Sequence, residues 1–184
     1  MKHPVRLAAF VIVLAGCNKG PTVELKNATA SQVSRAVKQS GVMNADTMIE
    51  PGLWQSKVEV AEMNIPGLPP QYAEKMKQSM AESRNHATRH CITAADVKKP
   101  KEDFFGADKS CKYQHFTMGG GKIDIQMICG EEGATQTTNM SGTYTPTRYS
   151  VNMSSIGSGN KQSLMSMKMH VDSERVGECT GTQG

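Results

Sequence analysis

The chain has 184 residues, with 21 Lys and Arg against 17 Asp and Glu and a formal net charge of +4. That length is one domain by the ordinary prior. The cations are scattered and Trp, Tyr and Phe total only nine, which excludes the basic stripe with stacking aromatics of a nucleic-acid binder.

Lys2, His3 and Arg6 precede a short apolar run from Leu7 to Ala15. This is the charge-then-apolar order of an export signal. A bilayer span needs about 20 apolar residues, so residues 1–16 read as a signal peptide and not as an anchor. Leu14-Ala15-Gly16-Cys17 resembles the lipobox of bacterial lipoproteins. The resemblance implies cleavage before Cys17, acylation of that cysteine, and attachment to the membrane through the N-terminal lipid. Residues 17–28 are then a tether. Asn18 follows the lipid cysteine where enterobacterial-type sorting uses Asp for inner-membrane retention, so the expected place is the periplasmic face of the outer membrane.

Thr29 to Ser40 reads as a helix, with Ala30, Val33 and Val37 on one stripe, Ala36 beside it, and Gly41 as a stop. Glu50-Pro51-Gly52-Leu53-Trp54 is a turn feeding a strand. In that strand Trp54, Ser56, Val58 and Val60 alternate with Gln55, Lys57 and Glu59, the period of a half-buried strand. Trp54 is expected in the core because of the area it buries. Pro66-Gly67-Leu68-Pro69-Pro70 breaks the chain and opens a helix over Gln71 to Ser83, with Ala73, Met76 and Met80 on one face. His86 and His90 follow at the i, i+4 spacing of one helix face, the weak geometry of a metal site, although a solvated, basic helix end is the default explanation. Thr93 and Asp96 form a cap and its third residue. Lys98 to Asp103 reads as a charged loop.

Cys111 and Cys129 lie nine residues either side of Gly120, in Gly119-Gly120-Gly121. Glycines supply the φ > 0 conformations of a tight loop, here read as a three-residue hairpin. Folding about Gly120 sets Cys111 beside Cys129 at a distance that a disulfide spans. In this register Ile123, Ile125, Met127 and Cys129 share one face, opposite Cys111, Tyr113, His115 and Thr117. Strands are expected over Thr135 to Tyr144, Tyr149 to Ile156 and Leu164 to Val171, the last with Met165, Met167, Met169 and Val171 on one face. Gly177-Glu178-Cys179 closes the ordered part, and residues 180–184 read as a frayed tail.

Five cysteines less Cys17 leave an even set in an exported chain, the mark of a disulfide framework. With Cys111–Cys129 chosen by the hairpin, elimination leaves Cys91–Cys179. No two cysteines have the close spacing of a zinc site.

Pro51-Gly52-Leu53-Trp54, Pro66-Gly67, Cys91-Ile92-Thr93, the Cys111 and Cys129 pair, Met-rich late strands and Arg175-Val176-Gly177-Glu178-Cys179 together resemble the domain-of-unknown-function family 3617, found in exported proteobacterial proteins. The resemblance runs from Ala28 to Cys179. It implies an exported, β-rich domain and carries over no catalytic residue.

Catalytic signatures are absent from the sequence. Gly119-Gly120-Gly121-Lys122 fails as a phosphate loop because Phe116 and Ile123 stand where glycine and Ser or Thr are required. There is no Gly-x-Ser-x-Gly elbow and no His-Glu-x-x-His. The expected fold is therefore α+β: a curved antiparallel β-meander of about five or six strands, two or three short helices, and one β-rich domain over residues 29–179. The expected function is non-enzymatic, without a cofactor: binding of an apolar small molecule or an envelope partner. The alternative is a periplasmic Cu(I)-binding protein using Met165, Met167 and Met169, since soft thioethers favour that ion. Replacing Cys17 by Ser should leave an unprocessed or soluble precursor, read by membrane fractionation and fatty-acid labelling.

Overall fold

The computed structural model describes residues 20–43, 49–83, 87–98, 110–131, 133–159 and 165–181. The expected signal segment, Cys17, Asn18, His86, Leu164, most of the expected charged loop after Lys98 and the last three residues lie outside the described residues. The elements in order are β1 (Thr22–Thr29), α1 (Ala30–Ser40), β2 (Gly52–Asn64), α2 (Pro70–Ser83), β3 (Thr88–Ile92) and α3 (Ala94–Lys98). Then come β4 (Lys112–Gly119), β5 (Lys122–Glu131), β6 (Ala134–Thr145), β7 (Arg148–Gly159) and β8 (Ser166–Gly177). The eight strands form one open sheet in the order β1-β4-β5-β6-β7-β8-β2-β3. Every neighbouring pair is antiparallel.

The sheet holds eight strands where five or six were expected, and the difference has local causes. Thr22–Thr29 is not a tether but edge strand β1, laid antiparallel on β4. Its apolar alternation, Val23 and Leu25, is too short to signal a strand until a partner supplies the hydrogen bonds. Thr88–Ile92 is strand β3 on the other edge, so His90 stands on a strand and not on the expected helix. β8 continues six residues past Val171 to Gly177.

Helix α1 begins and ends where its sequence says. Thr29 is the N-cap of a capping box: its backbone N–H donates to Gln32 Oε1 at 2.8 Å, and Gln32 N–H returns a bond to the Thr29 hydroxyl at 3.3 Å. Gly41 closes the helix in the left-handed region. Val33 and Val37 are buried, and the helix rests on β1 and β4. At α3, Thr93 and Asp96 exchange the expected capping bonds at 2.6–3.2 Å.

The β4–β5 hairpin departs from the expected register in two ways that compensate. Gly119 pairs with Lys122, so the loop has two residues, Gly120 and Gly121, both at positive φ. This is the loop whose twist suits a hairpin and which needs left-handed residues at both positions. A bulge between Tyr113 and His115 then shifts the register by one. In the adjacent β1, Asn27 takes φ 52° opposite the same point, a conformation that Asn tolerates better than most residues. Beyond the bulge Tyr113 faces Met127, and Cys111 bonds to Cys129 with a Cα separation of 4.0 Å. Before it, Phe116 and Met118 face Ile125 and Ile123. The inward set on β4 is therefore Cys111, Tyr113, Phe116 and Met118, and not His115 and Thr117.

Phe116 and Met118 are completely buried, and with Val23, Val33, Val37, Ile123 and Ile125 they form the core beneath α1. A second anchor lies at the start of β2. Trp54 is fully buried, stacks on Tyr149 at 5.8 Å, and donates its indole N–H to the Glu50 carbonyl at 3.0 Å. There Gly52 has φ 149°, and a Cβ would come within 2.6 Å of the Gly177 carbonyl and 2.5 Å of Arg175 Nε. Arg175 uses this space to donate from Nε to the Pro51 carbonyl at 2.7 Å, and its guanidinium also bonds Glu178. Cys91–Cys179 ties β3 to the tail beyond β8 across the intervening β2, with a Cα separation of 5.5 Å.

The register is checked by two truncations on β4. Phe116→Ala should cost about 3–5 kcal/mol in chemical denaturation, whereas Thr117→Ala on the opposite face should change stability by less than about 0.5 kcal/mol. An inward Thr117 would reverse that order.

Candidate functional site

Reading across the ladders, one face of the sheet carries Ile123, Gly142, Val151, Val171 and Val58 in one row and Ile125, Met140, Met153, Met169 and Val60 in the next. A third row runs Met127, Thr138, Ser155, Met167 and Met63. We call this the inner face. It changes character along its width. On β4 and β5 its side chains are buried beneath α1. On β6, β7, β8 and β2 the methionines and valines are only half-buried, and Val58 is 47% exposed. Among the described residues α1 rests on β1 and β4 and α2 rests on β2, so the middle of this half has no helix packed on it.

Each end of the apolar band closes with hydroxyl groups that bond among themselves. Ser155 is buried; it accepts from Gln136 Nε2 at 2.7 Å and lies 3.3 Å from the Thr138 hydroxyl. At the other end the buried Ser173 shares a 2.7 Å bond with Ser56 beside Trp54. Beyond Trp54, on the β3 side, is a cavity of about 320 Å³ lined by Met43, Ile49, His90, Cys91, Ile92, Asp96 and Val97. That volume is at the lower end for a small-molecule site. Met43, which follows the helix on β1, and Ile92 of the far edge strand both line this cavity.

The outer face is polar and internally paired. Gln126 donates to Asn139 at 2.8 Å, and His115 meets Asp124 at 3.0 Å. His170 has Asn152 Oδ1 at 2.8 Å and Asp172 Oδ2 at 2.9 Å. A hydrogen bond from Ser150, opposed by partial desolvation and joined by His170 and Arg148, holds the Asp172 carboxyl below its ordinary 3.8. On the covered half of the inner face, burial pushes the Tyr113 phenol up to about 12, edge-on to Phe116 at 5.7 Å.

The expected thioether triple divides. Met167 and Met169 lie on the inner face of β8, opposite Met63 and Val60, but Met165 precedes the strand and is 40% exposed. Sequence reasoning missed Met63, Met140 and Met153, which the ladders bring onto the same face. Only the register shows that they adjoin. His90 and Cys91 line the same cavity, with Cys91 held in its disulfide. No group of three or more His, Cys, Asp and Glu suited to a metal occurs among the described residues. No helix among them is long and apolar enough to cross a membrane.

The fold and face define an open antiparallel sheet, stapled by two disulfides, with an apolar surface partly covered by one helix. Residues 49–179 match the family described as protein of unknown function (DUF3617), and the chain belongs to that family. No curated protein and no solved structure matches the chain.

The Asp172 cluster yields a pH test. A depressed carboxyl stabilises the fold above its unfolded value and loses that contribution as pH falls through the lower folded value. Asp172→Asn should therefore be less stable than the parent at neutral pH, by under about 1 kcal/mol because the pair is half-exposed. The gap should close in acid below pH 3.8, measured by urea denaturation at each pH.

Proposed function

We propose that this protein is a non-enzymatic binding module that takes an apolar small molecule onto the open half of its inner face, carried in the cell envelope by a lipid on Cys17. The observation that supports this reading is the half-buried band of Met63, Val58, Val60, Met140, Val151, Met153, Met167, Met169 and Val171, continuous with the core yet without a helix packed over its middle among the described residues. Folding gains little from such a band while water still reaches it, and covering it with a ligand removes the remaining apolar area from water at about 25 cal/mol per Å². Methionine suits a surface that receives a ligand, because its unbranched thioether repacks around different shapes.

The rim supports the same reading. Ser155 and Ser173 are already bonded to neighbours, so an apolar guest leaves no buried hydroxyl without a partner. The bulges in β2, at Leu53/Trp54 and Val60/Glu62, and the one in β4 bend the strands that carry them. We take them to curl the sheet towards α1 and make the inner face a trough. The lipobox-like segment, the even set of cysteines and Asn18 after the lipid cysteine support a position on the periplasmic side of the outer membrane.

A polarity-sensitive naphthalene dye titrated into the protein tests the reading. Val58→Lys, on the inner face, should weaken dye binding by at least about tenfold, the factor that 1.4 kcal/mol of lost apolar contact represents. Ile156→Lys is the control, since Ile156 is 52% exposed and lies on the outer face. Equal effects from the two substitutions, or no binding by the parent, would reject the inner face as the site.

A further inference from the structure

We infer that the same open half-face also forms a metal site, in which the thioethers of Met140, Met153 and Met169 hold a single Cu(I) ion. The inference does not depend on the apolar-ligand reading, and measuring copper retention and dye binding independently separates the two.

The register is the carrying observation. Met140 on β6 is directly opposite Met153 on β7, and Met153 is directly opposite Met169 on β8. Directly opposed residues have Cβ atoms about 5 Å apart and point to the same side. Three thioethers thus stand in a line across three strands, and each has enough rotatable bonds to bring its sulfur over the central Met153. The adjoining row supplies a second pair, Met167 opposite Met63. Strand positions ordinarily favour β-branched and aromatic side chains, as the neighbouring Val151–Val171–Val58 row does. A run of methionine beside that row is a departure from strand chemistry. All three ligands are half-buried and remain within reach of solvent.

The ligand set selects the ion. All four cysteines of the domain are in disulfides, so no thiolate is present on this face. The inner-face rows through these residues contain no carboxylate and no imidazole. Zinc and the harder divalent ions therefore lack their preferred donors, whereas thioethers alone suit Cu(I). Neutral ligands leave the ion's charge uncompensated, and in a half-desolvated site a monovalent ion carries the smaller desolvation cost. Met165 has no place in this set: it precedes β8, is exposed, and its carbonyl accepts from the Gly157 N–H at 2.9 Å.

The test is Cu(I) titration of the full chain against a competing chelator, with X-ray absorption of the loaded protein. One ion per chain with a sulfur-only shell is expected. Met140→Leu, Met153→Leu and Met169→Leu should each weaken retention by at least about tenfold, the lower bound for losing even a supporting group at a metal. Met165→Leu should leave it unchanged. Leucine conserves apolar volume, so the thermal midpoint should hold in all four variants, and Met165→Leu should also leave dye binding as it is. Failure to retain Cu(I), nitrogen or oxygen ligands in the spectrum, or a loss in Met165→Leu equal to that in Met153→Leu would each overturn the site. Copper retention by a protein that binds no dye would support the metal site and remove the other reading.

Discussion

One extra residue in β4, opposite Asn27 of β1, governs how this sheet meets its helix. Upstream of the bulge, Cys111 and Tyr113 point inward; downstream, Phe116 and Met118 do. Because side chains alternate with a period of two, a strand without the bulge would send one of these pairs to solvent. With it, both reach the side on which Val33 and Val37 of α1 lie. The same shift compensates for the two-residue loop at Gly120-Gly121 and aligns Cys111 with Cys129. The disulfide and the core thus rest on one register change. By the loop-entropy account the bridge then contributes about 3 kcal/mol by limiting the unfolded chain.

The core that results is lopsided. Beneath α1 the packing is closed, with Phe116, Met118 and Val33 almost without exposed surface. Four strands away the same face is still apolar but half open. Continuity of hydrophobic character past the edge of its covering helix distinguishes this face from a surface with scattered apolar residues, which is the ordinary condition of proteins. The outer face shows the contrast, with side chains joined in ladders such as Gln126–Asn139 and His170–Asn152. The two faces therefore divide the labour: one is satisfied within itself, while the other has apolar surface left to cover.

Three of the short motifs singled out in the sequence meet at one corner. Pro51-Gly52-Leu53-Trp54 opens β2, Cys91-Ile92 ends β3, and Arg175-Val176-Gly177-Glu178-Cys179 closes β8 and the tail. Arg175 reaches over Gly52 to the Pro51 carbonyl, and Cys179 bonds Cys91. Segments 124 residues apart are joined there by a hydrogen bond, and segments 88 apart by a disulfide. Their role at this corner is architectural: they hold the ends of β8, β2 and β3 together at the Trp54 end of the inner face.

Much of this was legible in the sequence wherever a signal is local. Thr29 and Gly41 bound α1 because caps act within a single turn. Trp54 read as core from its size, and the glycine-centred hairpin paired the right cysteines. What no local signal carries is which strand lies beside which, and where an alternation changes phase. Thr22–Thr29 became a strand only because β4 offered it hydrogen bonds, and His90 left its supposed helix because β2 did the same. Val58, Met140 and Met153 are ordinary apolar positions in their own segments. Tertiary register alone set them side by side, because a sheet face is assembled from residues that are distant in sequence and become neighbours only when the strands pair.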